Sequence, residues 1–499
     1  MNRNSMLAQL DENKTWDVLI IGGGATGLGA AVDAASRGLS TLLIEADDFA
    51  KGTSSRSTKL VHGGVRYLEQ GNLKLVREAL QERGRLLKNA PSVTKKIGFI
   101  IPAFSFVQRL YYGTGLLLYD MLSQKLSLGK TKLISNKTIQ KLAPAIDQKK
   151  LKGGIIYYDG QFDDARLAVN LARTAAQQGA VLINYCEAQS LVKKKIKPTD
   201  KLEKVCGVVA YDFVSGKTFE IKSKTVINAT GVFADDVLLM DNKDAVDIVT
   251  PSQGIHLVVD NKFFPGEHAL MIPKTDDKRV LFAVPWHNKV VLGTTDTEVE
   301  NISDEPIPLK EEIDFILQHA NRYLNTNITL DDVDSMFAGL RPLVKTKGVT
   351  NTSVLSRDHV IIVSTSNLIT ITGGKWTTYR KMAEDAVNNA IFVAKFEYKN
   401  PVTKDLPIVS SMFDTIDYED AIEEIYSVQN VIKFVEEEMA VSIEDVLARR
   451  TRMLFLDVRK ALKAAPMVAT AMAAILHKDE SWIQTEIDNF TQLAKNYLP

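Results

Sequence analysis

Three glycines stand at a spacing that can hold a diphosphate. Gly22, Gly24 and Gly27 follow the apolar, β-branched run of residues 18–21, and a small-residue stretch with Ala30, Ala31, Ala34 and Ala35 comes next. In a strand–turn–helix unit the first glycine permits the tight turn. The second lets the backbone approach a pyrophosphate, and the third lets the helix pack close to the strand. The helix start aims unpaired N–H groups at the diphosphate. A second strand-like run, residues 39–44, ends in Glu45, near the spacing of about 20 residues expected for a ribose-binding acid. A glycine triplet alone also suits an ordinary strand–helix turn; strand, helix and terminal acid together favour dinucleotide binding.

Three further segments offer cofactor chemistry. Residues 52–67 have neither helical nor strand periodicity and carry Thr53, Ser54, Ser57, Lys59, Leu60, His62, Gly63 and Gly64. Their hydroxyls and backbone N–H groups suit a phosphate or a flavin ring; the plain alternative is a solvated loop. Residues 224–231 read as a buried strand ending in Ala229, Thr230 and Gly231, a turn where backbone can approach a cofactor closely. Strands within 360–371 lead to Gly373, Gly374, Lys375, Trp376 and Thr377 at the start of a helix over 381–394, repeating the anion-binding logic of the N-terminus.

The elements that must position these residues fit an ordinary globular chain. It has 499 residues, 45% hydrophobic and 24% charged, which suggests about three domains. Lys and Arg balance Asp and Glu at 61 each, so nothing favours nucleic acid. The two cysteines, Cys186 and Cys206, have no metal or redox spacing, which fits a reducing compartment, and no metal site is expected. Residues 1–16 are polar, so no signal peptide is expected, and no apolar run is long enough for a membrane span.

Leu73, Val76, Leu80 and Leu87 fall on one helical face, stopped by Pro91. Residues 97–124 carry only two charges, Arg109 and Asp120, amid dense aromatics. They read first as a buried helical hairpin over the site, and alternatively as a surface entering a bilayer interface. From 153 the α/β pattern resumes: a strand over 154–158, a helix over 163–178, a strand over 181–185 and a hairpin over 205–221. Residues 250–345 read as a mixed, largely antiparallel substrate domain with one helix at 313–324. After a linker at 401–407 the chain reads as a separate helical domain, with a capping box at Ser442-Ile443-Glu444-Asp445.

Taken in order, these motifs carry a resemblance. They are the N-terminal glycine motif, Thr53-Ser54-Ser55, residues 59–69, Asp163-Asp164-Ala165-Arg166-Leu167, residues 228–231, Gly293-Thr294-Thr295-Asp296, Gly339-Leu340-Arg341-Pro342-Leu343, Ser356-Arg357-Asp358 and residues 373–381. Together they resemble the FAD-dependent (aerobic, respiratory) glycerol-3-phosphate dehydrogenases, within the D-amino-acid-oxidase-like flavoproteins. The resemblance covers nearly the whole chain, and the blocks 59–69 and 373–381 are the specific ones. Trp376 departs from the aliphatic residue expected there. The fold implied is α/β: a glutathione-reductase-like Rossmann FAD domain (1–95, 151–250, 346–398), a mixed, largely antiparallel substrate or cap domain (96–150, 251–345) and a helical C-terminal domain (399–499).

The resemblance implies oxidation of sn-glycerol 3-phosphate to dihydroxyacetone phosphate, with FAD taking the hydride and a membrane quinone the electrons. It places the protein in the cytoplasm, in peripheral contact with the inner face of the cell membrane, and it allows a homodimer. The chain must hold a phosphate dianion, orient C2 and remove the hydroxyl proton. Arg66, Arg341 and Lys375 lie beside glycines or strand ends and suit phosphate oxygens, with Tyr67 and Arg357 as second choices. His256 is the candidate base; His62, between Val61 and Gly63, suits a flavin contact better. The rival readings are an oxygen-using oxidase, an amino-acid oxidase of the same superfamily, and a flavin-binding scaffold without turnover.

Overall fold

The computed structural model describes residues 1–10, 14–64, 72–123, 126–195, 202–273, 275, 279–345, 358–415 and 425–499. The apolar run before the glycines becomes the strand Thr15–Ile21, central in a largely parallel sheet. It pairs in parallel with Lys217–Asn228 on one side and Thr41–Ile44 on the other. Val181–Ile183 lies beyond Thr41–Ile44, and Ile369–Gly373 beyond Lys217–Asn228, with His359–Val363 antiparallel at the edge. Because both faces are covered, these strands read as unbroken apolar runs rather than alternating ones. The helices Ala25–Ser36, Asp164–Gln177 and Tyr379–Ala394 bury alanine-rich faces in one core. The strands Cys186–Lys194 and Lys204–Asp212 extend Lys217–Asn228 as an antiparallel meander.

The expected antiparallel region is a second sheet. Val249–Asp260 pairs with Val333–Val344, Lys289–Gly293 and Thr297–Glu298, and the sheet continues through Leu281–Trp286 and Ala269–Ile272. There it accepts Thr94–Pro102 in parallel, then Gly154–Phe162 and Leu60–Val61. The strand Gly154–Phe162, which the sequence groups with the nucleotide half, therefore pairs in the substrate sheet.

The charge-poor stretch is not a helical hairpin. Its first part is the buried strand Thr94–Pro102, and its second is the helix Phe106–Ser123. A strand wins over residues 97–102 because Ile97, Phe99 and Ile101 insert into one core and Ile100 into another. The helix buries Gly113, Leu116, Tyr119 and Ser123 but exposes Phe106, Val107, Leu110, Tyr111, Leu117, Leu118 and Met121. Among the described residues no helix is long and apolar enough to cross a membrane.

The helical tail that the sequence sets apart shares its core with the substrate sheet. Val446, Leu454, Phe455 and Val468 belong to the same cluster as Phe99, Val258 and Phe337. The capping box forms: Ser442 Oγ accepts from the Asp445 N–H, and the Asp445 carboxylate accepts from the Ser442 N–H.

Candidate active site

Strand, turn and helix at the N-terminus open onto a cavity of about 620 Å³. Gly22, Gly24, Glu45, Thr53, Ser54, Ala229, Thr230, Gly231, Gly373, Gly374 and Lys375 line it. Gly22 and Gly27 have steric reasons. A Cβ at Gly22 would lie 2.7 Å from the Ala229 carbonyl oxygen, where the two strand ends nearly touch. At Gly27 it would lie 1.9 Å from the Gly22 carbonyl oxygen, so Gly27 packs helix onto turn rather than lining the cavity. At Gly231 a Cβ would meet nothing within 4 Å, which leaves open space for a ligand. The start of Ala25–Ser36 faces this space, and the Ala25 N–H donates to Ser54 Oγ at 2.9 Å. A glycine cradle, a helix N-terminus and an acid at the next strand end together fit the diphosphate and ribose of FAD.

Glu45 accepts from the Gly23 N–H and, at 3.0 Å, from the Asp47 N–H. Burial pushes its carboxyl up to about 7, although both N–H contacts favour the charged form. Trp376, the departure from the expected pattern, also lines the cavity; its indole N–H donates to the Ser54 carbonyl at 2.9 Å and its ring meets Phe162 edge-on.

Ser57, Lys59 and Leu60 of the 52–67 loop do not line the cavity. Ser57 donates its N–H and hydroxyl to Asp164 at 3.0 and 2.7 Å. Lys59 is fully buried, paired with Asp164 at 2.8 Å and set over the rings of Trp286, Phe337 and Phe455. Burial lowers its pKa against the pull of Asp164. Leu60 enters the apolar core. Thr377 Oγ1 accepts from the His62 N–H and donates to the His62 carbonyl, so it brackets that backbone. The Gly63 N–H donates to Tyr119 Oη at 2.7 Å, and Tyr119 donates to Asp159 at 2.6 Å. Gly64 takes a left-handed conformation at φ +77°.

His256 and Arg341 come together through strand register. His256 opposes Phe337, and Ser252 opposes Arg341, so all four share one face of the sheet. Glycines make the room. A Cβ at Gly254 would lie 2.1 Å from Arg341 Nη2, and one at Gly293 would lie 2.3 Å from His256 Cδ2. His256 stacks on Phe337 at 4.9 Å, its Nε2 meets Thr58 Oγ1 at 2.9 Å, and its Nδ1 has no hydrogen-bond partner. Burial, then the charges of Arg341 and Lys59, hold the imidazole well below its ordinary pKa, so it is neutral at pH 7. Arg341 donates to Thr294 Oγ1 at 3.0 Å and lies 3.7 Å from Asp296. Arg66, Tyr67 and Arg357 lie outside the described residues.

Sequence reasoning missed Lys51, Arg56, Ser303 and Asp304, which also line the cavity. They stand in loops without a motif; only the polar character of 52–67 hinted at Arg56. Thr58, the partner of His256, lay within that loop unremarked.

Comparison with known proteins agrees with this geometry. A family model described as FAD dependent oxidoreductase matches residues 17–380, and one described as the C-terminal domain of alpha-glycerophosphate oxidase matches 415–482. The chain is 37% identical over 540 residues to the human mitochondrial glycerol-3-phosphate dehydrogenase, covering 98% of this chain and 74% of that protein. It is 42% identical over 407 residues to an Arabidopsis thaliana mitochondrial glycerol-3-phosphate dehydrogenase, covering 79% of this chain and 64% of that protein. The crystal structure of the Bacillus halodurans glycerol-3-phosphate dehydrogenase complexed with FAD superposes with a TM-score of 0.80 at 29% identity, covering 100% and 98% of the two chains. An FAD-bound L-alpha-glycerophosphate oxidase from Mycoplasma pneumoniae, at 19% identity and a TM-score of 0.60, shares the fold over 80% of this chain and all of its own. The chain belongs to the FAD-dependent oxidoreductase family, among its glycerol-3-phosphate dehydrogenases.

Proposed function

We propose that the protein oxidises sn-glycerol 3-phosphate at C2 to dihydroxyacetone phosphate and passes the two electrons to a membrane quinone. FAD, when bound, supplies the acceptor for the C2 hydride. The observation that carries the reading is the pairing of a neutral, buried His256 with Arg341 on one glycine-cleared sheet face. A neutral imidazole can take the C2 hydroxyl proton, and a nearby guanidinium holds a phosphate dianion through charge-assisted bonds. Nδ1 of His256, the nitrogen without a partner, is the atom we assign to proton transfer, while Thr58 fixes the ring through Nε2. Lys375, at the cavity wall, adds a point charge; Arg66, Tyr67 and Arg357 remain proposed substrate ligands.

The quinone's apolar tail keeps it in lipid, so the protein must meet the membrane surface. The exposed face of Phe106–Ser123 is our candidate: its large apolar side chains recur at helical spacing along one stripe, with Thr114 among them and no exposed charge. Such a stripe is larger than scattered surface apolar residues and suits shallow insertion at the acyl boundary. The stripe supports a reading in which the protein sits peripherally on the cytoplasmic face of the cell membrane.

A steady-state assay tests the chemistry. Glycerol 3-phosphate should be oxidised and glycerol not, with a quinone analogue a faster acceptor than oxygen. Equal rates with oxygen would favour an oxidase instead. For the membrane, F106E, L110E and L117E together should abolish sedimentation with anionic vesicles and quinone reduction, while activity with a soluble dye persists. Unchanged vesicle binding would move the contact elsewhere.

A further inference from the structure

Residues 299–309 join the strand Thr297–Glu298 to the helix Lys310–Tyr323 without regular structure, and Ser303, Asp304 and Pro306 line the FAD cavity. The segment is fastened on both sides. Towards the substrate sheet, Gln253 Nε2 donates to the Ile307 carbonyl at 3.0 Å. Towards the nucleotide cradle, three groups converge on the one carboxylate of Glu305. Arg56 Nη2 donates to Oε1 and Oε2 at 2.8 and 2.7 Å, Lys51 Nζ approaches to 3.3 Å, and the Tyr497 hydroxyl donates from the end of the chain. Arg56 and Lys51 are themselves cavity-lining residues; Tyr497 is not.

The helical tail grips the same wall a second time. Lys51 also pairs with Glu444 at 2.6 Å, and Arg449 meets Glu444 at 2.6 Å. Arg449 and Arg450 both reach Asp48, one residue past the cavity-lining Asp47. The tail thus holds the loop after Glu45 and, through Tyr497, the segment around Glu305. On the tail's side of these contacts, Tyr497, Glu444, Arg449 and Arg450 do not line the cavity.

We propose that residues 299–309 form a strap across the FAD cavity, that Glu305 is the positioning residue latching it, and that Tyr497 sets how fast FAD leaves. Latched, the strap stands between the cavity and solvent, held by a half-buried carboxylate shared among two cations and a phenol. Released from Glu305, it keeps the Gln253 contact and the hydrogen bonds at its two ends, from the Val299 N–H to the Pro251 carbonyl and from the Leu309 N–H to Glu312, and its middle can swing aside. A cofactor held this way depends for its retention on residues that do not line its cavity, Glu305 and Tyr497.

The test follows FAD release from holoenzyme diluted into excess flavin-binding trap, read as recovery of FAD fluorescence, with the thermal midpoint of each apoprotein as the control. Tyr497→Phe removes one hydrogen bond and should speed release about threefold, and Glu305→Gln removes the charge partner and should speed it about tenfold or more. Because both act through one carboxylate, the double variant should release no faster than Glu305→Gln alone, and Glu305→Asp should recover part of the loss. The KM for glycerol 3-phosphate in FAD-saturated enzyme should not move. Release of FAD from Tyr497→Phe at the wild-type rate overturns the proposal, as does full additivity in the double variant. Should Glu305→Gln fail to fold, the Tyr497→Phe measurement decides alone.

Discussion

The nucleotide cradle and the substrate sheet use glycine for opposite ends. In the cradle, Gly22 and Gly27 remove side chains so that backbone can meet backbone: their missing Cβ atoms would lie 2.7 and 1.9 Å from carbonyl oxygens. In the substrate sheet, Gly254 and Gly293 remove side chains so that other side chains fit: their missing Cβ atoms would lie 2.1 Å from the Arg341 guanidinium and 2.3 Å from the His256 ring. The first site binds through N–H groups that are adjacent in sequence. The second, as proposed, uses side chains that only strand register brings together. Substitutions in one half should therefore cost the cofactor, and in the other the chemistry.

The largest effect expected is at Gly27. Gly27→Val places three carbons where the Gly22 carbonyl stands, and purified protein should carry no FAD and no yellow colour. A folded, fully yellow variant would break the comparison at its root.

Next comes the proposed proton acceptor. His256→Ala should slow flavin reduction by about 10²–10⁴-fold with little change in substrate binding and none in FAD content. The shift at His256 is downward, so the free base persists as pH falls through the ordinary histidine range. The acidic limb of kcat/KM should accordingly lie below pH 6.5. Wild-type reduction rates in stopped flow would remove His256 from the reaction.

Arg341→Ala should raise KM with FAD still bound, since losing a charge-assisted contact costs about 1.5–3 kcal/mol, roughly ten- to over a hundredfold. Gly254→Ala sharpens the contrast with Gly27. It creates an equally severe overlap, yet with a movable guanidinium rather than a carbonyl, so it should reproduce the KM defect in yellow protein. Loss of FAD from Gly254→Ala would mean the two halves are not separable.

The smallest effect concerns Glu45. Burial penalises its charge and pushes its carboxyl up to about 7. Ribose hydroxyls donating to it favour the charged form, so FAD binding should release a proton. FAD affinity should then rise a few-fold, on the order of one pKa unit of linkage, as pH climbs from 6 to 7.5 and flatten above. Titration calorimetry at several pH values reads this directly, and Glu45→Gln should flatten the profile throughout.

Where function rests on local backbone, it was legible in the sequence. Gly22, Gly24, Glu45, the 229–231 turn and the 373–375 turn all line one cavity, as their types and positions imply, while Gly27 packs helix onto turn. The 52–67 loop was legible only as polar. Thr53 and Ser54 face the cavity while Ser57 and Lys59 turn to Asp164, because Lys59 takes a left-handed backbone at φ +63° and buries its ammonium against a carboxylate from a distant helix. The charge-poor stretch 97–124 defeated periodicity for a similar reason. Its apolar residues serve two masters, a strand buried between two cores and a helix with one face in each environment, and an unbroken apolar run looks alike in both settings.

By itself the sequence determined the parallel nucleotide-binding sheet, its cofactor class and the family, because a diphosphate cradle is built from consecutive backbone groups whose glycines are visible as letters. Only the tertiary structure decided that His256 and Arg341 share a glycine-cleared face, that Glu305 gathers Arg56, Lys51 and Tyr497, and that the tail packs into the substrate core. Those arrangements depend on register between strands and on packing between segments hundreds of residues apart. Chain periodicity carries no record of either, since it reports which face of an element is apolar and not which partner that face meets.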